Sequence, residues 1–159
     1  MSLIGILTQK SHEAYIKQEN SITQEQIFFL KEESLSNLKN IQFQTILIGK
    51  KITQNKEQVK EIARKAKYLI FNTDIPENLD LLEDMQLELI TYGFNSKATI
   101  TTSSIEDSKI MVCLQRTLQN VQGKKIEPQE LRLYLPDENN SYAVMELKSL
   151  EWLYGKKDS

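Results

Sequence analysis

The sequence is short of the residues from which compact reactive sites are usually built. Its 159 residues include one histidine (His12), one cysteine (Cys113) and five glycines, Gly5, Gly49, Gly93, Gly123 and Gly155, no two of them close together. Zinc sites need several Cys and His at short spacing, and metalloprotease helices need two His one turn apart. Disulfide frameworks need paired cysteines, and phosphate loops need clustered glycines, so all four classes are excluded. No apolar run approaches the roughly 18 residues of a membrane span, and the first residues lack the basic, apolar, small-residue order of a signal peptide. With a lone cysteine, these absences lead us to expect a cytoplasmic protein.

What is present describes a globular chain with a real core, 40% hydrophobic and 26% charged, with a net charge of −2. No global basic field would draw it onto nucleic acid or an anionic membrane. Charge is uneven: residues 1–75 carry 11 Lys/Arg against 8 Asp/Glu, and residues 76–159 carry 9 against 14. The length suits one domain, expected to span 1–159.

Apolar runs at 3–7, 45–49, 68–71 and 87–92 read as buried strands, continuous as in a sheet covered on both faces. Between the first two, residues 8–20 are polar and read as loop. Ser21 and Gln24 then form a capping-box pair opening a helix near 22–38, with Ile27, Leu30, Leu38 and the Phe28/Leu35 pair on its inner face. Asn55 and Gln58 cap a helix to about Lys65, whose Val59, Ile62, Ala63 and Ala66 form a buried stripe. Asp74 and Glu77 open a short helix ending near Asp84. This β-α-β-α-β-α-β alternation predicts a Rossmann-like parallel sheet over about 3–93.

After Gly93 the pattern changes. Residues 98–105, 109–118 and 130–135 alternate apolar with polar, and the short link at 106–108 predicts an antiparallel hairpin. A last helix near 141–154 buries Ala143, Leu147, Leu150 and Tyr154 and stops at Gly155, with Lys156 and Lys157 where the helix dipole favours cations. The antiparallel section and this helix should occupy about 97–155 of an α/β chain.

The segment from Tyr68 to Tyr92 resembles the second half of the central domain of Mur ligases and their folylpolyglutamate synthase relatives. In that family a strand ending in Asn-x-Asp leads to a helix, then a strand ending in a Thr-aromatic-Gly turn, then antiparallel strands. Here Asn72-Thr73-Asp74, Thr91-Tyr92-Gly93-Phe94-Asn95 and Lys97-Ala98-Thr99-Ile100 follow in that order, and the resemblance covers about 68–154. It implies a Mur-like fold and places Asn72 and Asp74 near the family's nucleotide. The family binds ATP through Gly-x-x-Gly-Lys-Thr/Ser and activates a carboxylate as an acyl phosphate. No segment here has that form: Gly49-Lys50-Lys51 offers one glycine. The family's metal-site histidine has only His12 as a counterpart, and its C-terminal ligase domain is expected to be absent.

The candidate ligand-binding residues are Asn72, Asp74, Tyr92, Asn95 and Lys97. Asn72 and Asp74 sit at a strand's carboxyl end, where open α/β sheets collect ligands, although Asp74 is equally well placed as a helix cap. In the 92–97 loop Lys97 supplies charge and Tyr92 or Phe94 a stacking face, while Gly93 and Phe94 can equally serve a turn and the core. Lys56, Lys60, Arg64 and Lys67 form a basic stripe, interleaved with Glu57 and Glu61 as on an ordinary solvated helix. His12 and Cys113 lack the partners that acid–base or nucleophilic chemistry requires. No catalytic or metal-binding residue is expected.

The expectation is a non-catalytic Mur ligase-like binding or interaction module without a cofactor, recognising a protein partner or small ligand. Membrane and nucleic acid are not the expected partners, and an unpaired sheet edge would favour a homo-oligomer. The alternative is a ligase-related or split-ligase subunit binding ATP or a nucleotide-sugar at the Asn72/Asp74 strand end.

Overall fold

A computed structural model describes residues 2–22 and 26–156. The chain forms two compact units, one from Met1–Gln9 with Gln24–Ile90, the other from Lys10–Thr23 with Thr91–Ser159.

The first unit is a parallel sheet. Strands β1 (Leu3–Leu7), β2 (Gln26–Phe29), β3 (Thr45–Ile48), β4 (Tyr68–Asn72) and β5 (Glu88–Tyr92, its last two residues in the second unit) lie in the order β5-β4-β3-β1-β2. The β3 and β4 strands are buried at every position, as their unbroken apolar sequences require. Helix α1 (Lys10–Glu19) belongs to the second unit, helix α2 (Lys56–Arg64) to the first, and 3₁₀ segments at Glu32–Leu38 and Pro76–Leu82 complete the first unit's links. Leu7, Ile46, Ile48, Leu69 and Phe71 of the sheet form one core with Leu35 and Leu81 of the 3₁₀ segments and with Val59, Ile62 and Ala63 of α2.

Gly5 leaves no room for a side chain beside this core. A Cβ there would stand 2.8 Å from both Ile46 Cδ1 and Leu30 Cδ1 and 3.2 Å from Phe43 Cδ1. Three side chains would have to yield inside a packed layer, so Gly5→Ala is expected to cost about 1–3 kcal/mol by urea denaturation.

The second unit carries antiparallel structure. Strands β6 (Ile100–Glu106), β7 (Lys109–Leu114) and β10 (Gln129–Tyr134) lie in the order β10-β7-β6, and Tyr92 of β5 pairs in parallel with Ile100 of β6. Asp107 and Ser108, at φ 50° and 63°, make the two-residue turn of the β6–β7 hairpin, the left-handed pair whose twist matches the strands. Strands β8 (Leu118–Gln119) and β9 (Lys125–Ile126) form a separate small sheet. Helix α3 (Ser141–Tyr154) coincides with the predicted last helix and ends at Gly155, whose φ of 91° suits glycine. Lys157, expected after it, lies outside the described residues.

The mixed α/β architecture stands as read from the sequence, but several elements within it need correction. Residues 10–19 are helix, not loop, and residues 26–29 are strand, not helix. The α1 sequence buries only His12 and Ile16, a stripe too thin to register as amphipathic. The supposed capping box does not form: the Ser21 hydroxyl donates to Glu151 Oε2 at 2.6 Å, and Gln24 lies outside the described residues. Phe28, expected inside, is 44% exposed on β2. The helix opening at Asp74 is a 3₁₀ segment from Pro76, preceded by Ile75 without a side-chain cap. Asn55 precedes α2 in a left-handed conformation, φ 59°, and makes no cap bond. Its amide donates instead to the Glu32 carbonyl at 2.9 Å. The predicted 109–118 strand ends at Leu114.

Candidate functional site

In the first unit the chain passes from β1 to β2 on one side and then to β3 on the other, so the sheet's switch point lies between the ends of β1 and β3. The loops at these carboxyl ends are tied by side chains. Asn78, fully buried, accepts the Ile52 N–H at 3.0 Å and donates to the Lys50 carbonyl at 2.7 Å. One amide thus satisfies a donor and an acceptor of the loop after β3, and that loop cannot rearrange without orphaning both. Glu32 adds a second clamp, accepting the Gln54 N–H at 3.2 Å and approaching Lys50 Nζ at 3.8 Å.

Asn72 and Asp74 come together at the end of β4. Asn72 is buried, and its Oδ1 accepts the Asp74 N–H at 2.8 Å, an Asx turn that ends the strand. Asp74 is half-buried. Its backbone N–H is held by Asn72.

The basic stripe along α2 is largely neutralised. Lys56 Nζ lies 3.2 Å from Asp80, Lys60 Nζ 4.0 Å from Glu83, and Arg64 donates to Glu61 at 2.9 Å. Two of these carboxylates come from the segment at and after Pro76–Leu82, not from α2 itself as the interleaved glutamates suggested. Lys67 lies over the Tyr68 ring, 5.5 Å from its centroid. Beside α2 an open groove of about 310 Å³ has Leu35 and Ile62 in its lining and Lys39, Lys65, Glu57 and Glu61 around it, so it presents both signs of charge.

In the second unit the 92–97 loop is a laced turn. Gly93, at φ 147°, takes a backbone conformation that favours glycine and donates its N–H to the Ile100 carbonyl at 3.1 Å. Asn95 Oδ1 accepts the Lys97 N–H at 2.8 Å, and Gln115 donates to the Ser96 and Ala98 carbonyls at 2.9 and 2.7 Å. Arg116 donates to the Lys97 carbonyl. Phe94 is 44% exposed and packs edge-on against Tyr142, ring centroids 5.2 Å apart. Asn95 and Lys97 are exposed, but Tyr92 is fully buried and presents no face for stacking.

The Tyr92 ring reaches inward to a residue that local sequence patterns did not single out. Its hydroxyl donates to Glu146 Oε2 at 2.8 Å, and His12 Nδ1 lies 3.2 Å from the same oxygen. Glu146 is fully buried and His12 4% exposed. With Glu146 as acceptor of both bonds, His12 carries its proton on Nδ1. No substrate can approach a cluster so enclosed. Its work is to join α1, the end of β5 and α3. The signal was available: Glu146 stands amid Ala143, Val144, Met145 and Leu147, and a carboxylate in an apolar stretch of helix needs a buried partner.

A second buried cluster lies further along α3, at Lys148 and Glu151. Lys148 Nζ meets Glu151 Oε1 at 2.6 Å, and Ser21 donates to the other Glu151 oxygen. Burial pushes the Lys148 ammonium down, opposed by Glu151. The Tyr15 phenol is pushed up to about 12, first by burial and then by Glu19 and Glu151. The Lys148 shift accompanies its pairing with Glu151. Among the described residues no cluster of three His, Cys, Asp or Glu could hold a metal ion, and no helix is long and apolar enough to cross a membrane.

No family model matches the sequence, and no curated protein matches it. Solved structures do. The chain superposes on the UDP-N-acetylmuramoylalanyl-D-glutamyl-2,6-diaminopimelate–D-alanyl-D-alanyl ligase of Acinetobacter baumannii with a TM-score of 0.60 at 12% identity, over 99% of this chain and 44% of the ligase. A second structure, MurF from Acinetobacter baumannii, gives 0.59 at 14% identity over 99% and 43%. The chain spans less than half the length of either protein. At this identity the likeness is one of fold: the chain has a Mur ligase-like α/β fold.

Proposed function

We propose that this chain is a non-catalytic Mur ligase-like module that binds a partner or small ligand and performs no ATP-dependent ligation. One observation carries the proposal. A phosphate loop is a glycine-rich turn between a strand and a helix, long enough to wrap a phosphate with its backbone N–H groups. Between β1 and α1 stand only Thr8 and Gln9. The longer link from β3 to α2 holds one glycine, Gly49, and is fastened by Asn78 and Glu32. Neither link fits ATP phosphates in the manner of such a loop, so no catalytic step is assigned through ATP.

The positions that suit this role are Asp74 in the first unit, held by the buried Asn72, and Asn95 and Lys97 in the second. Tyr92 is assigned a supporting place, since its hydroxyl is committed to Glu146.

One observation favours a nucleotide-binding or split-ligase role instead. Lys10 and Ser11 open α1, both exposed, in the order in which phosphate loops end. A thermal-shift series separates the two roles. The module predicts no change in melting temperature with Mg-ATP or a UDP-sugar at millimolar concentration. A rise of several degrees, lost in Asp74→Ala or Lys97→Ala chains that melt normally without ligand, would replace it with the nucleotide-binding role.

A further inference from the structure

The outer edge of β10 is a second surface of recognisable chemistry. β10 pairs with β7 along one side, and among the described residues no strand pairs along the other. The register decides which backbone groups that edge displays. Leu135 donates its N–H to the Ser108 carbonyl at 2.6 Å, one step beyond the Tyr134–Lys109 pair. Hydrogen-bonded pairs alternate along an antiparallel ladder, so Leu133, Leu131 and Gln129 also bond to β7. Glu130, Arg132 and Tyr134 therefore turn their N–H and C=O groups outward. Their side chains share one face of the strand, and all three are exposed, Tyr134 by 76%. Among the described residues neither Glu130 nor Arg132 takes part in a salt bridge.

We propose that this edge pairs with the same edge of a second copy of the chain, antiparallel about a two-fold axis at Leu131. Charge selects that register. Centring on Glu130 or on Arg132 would set the residue against its own copy, and like charges directly opposite one another are destabilising. Centres nearer either end shorten the ladder and leave Glu130 or Arg132 without an opposite charge. Centring on Leu131 places Glu130 of each copy opposite Arg132 of the other, twice by symmetry, in pairs whose backbone groups exchange hydrogen bonds. One step further out, Tyr134 faces Pro128 of the second copy. Pro128 is exposed and has no N–H to extend the ladder, so pairing stops there, while its ring gives Tyr134 an apolar neighbour.

This interface is independent of whether the chain binds a nucleotide. Sedimentation equilibrium of the full chain tests it. The native protein is expected to show a concentration-dependent dimer. Glu130→Arg and Arg132→Glu are each expected to raise its dissociation constant by about tenfold or more, and the double reversal to bring it back to within about threefold of native. Circular dichroism checks that the single variants, both at exposed positions, remain folded.

Cross-linking reads the register. Leu131 faces itself in a non-hydrogen-bonded pair, about 4.5 Å between Cα atoms, within disulfide reach. Leu131→Cys should therefore oxidise to a covalent dimer and Leu133→Cys should not; Cys113 is buried and does not compete. A chain monomeric at every concentration, a dimer indifferent to both single reversals, or equal cross-linking at 131 and 133 would overturn the proposal.

Discussion

Replacing Glu146 with alanine is expected to destabilise the protein by about 3–5 kcal/mol, the range typical of breaking a buried charged cluster by removing one partner. The carboxylate is fully buried and receives the Tyr92 hydroxyl and the His12 ring nitrogen on one oxygen. Alanine would remove the acceptor of both bonds and open a void in the middle of α3, so the loss combines two buried hydrogen bonds with a cavity. Glu146→Gln preserves the shape and one acceptor oxygen and should cost only about 1–2 kcal/mol. Urea unfolding followed by circular dichroism and by Trp152, which lies on α3, measures both. Equal and small losses for the two variants would mean that the cluster does not fasten α1 and Tyr92 to α3.

The second large effect is expected at Asn78. Its side chain is fully buried and holds the Ile52 N–H and the Lys50 carbonyl together. Asn78→Ala removes both partners and should cost about 2–4 kcal/mol. Asn78→Asp keeps an acceptor for Ile52 but turns an oxygen toward the Lys50 carbonyl, so it too should destabilise the loop. Hydrogen exchange locates the damage: the Ile52 amide, protected in the native protein, should exchange at least about tenfold faster in Asn78→Ala. Unchanged protection would show that the loop after β3 is held by something other than this amide.

These two residues mark where the sequence was and was not legible. The β1, β3 and β4 strands and helices α2 and α3 could be read because their apolar residues are continuous or recur at helical spacing, and burial at Val59, Ile62, Leu147 and Leu150 follows that pattern. The stretch from Lys10 to Phe29 could not. Helix α1 is mostly polar, and its place depends on His12 finding Glu146, a residue 134 positions away. The four residues Gln26–Phe29 are too few to show a period, and Ser21 looked like a helix cap because its real partner, Glu151, is also remote.

The candidate site was legible to a similar degree. Asn72 and Asp74 do end a parallel strand, and Gly93 does take a positive φ. What sequence reasoning missed was that Tyr92 points inward and that Asn78 holds the loop after β3. Both facts concern contacts between distant segments, on which local spacing is silent.

If this Mur ligase-like fold works without ATP chemistry, as proposed above, the chain does not turn over ATP. Phosphate release from Mg-ATP by the purified full chain tests it most directly. Release is expected at the rate of a protein-free control, unchanged as the chain concentration rises and identical in Asp74→Asn. Release proportional to chain concentration, and abolished in an Asp74→Asn chain that is folded, would contradict it.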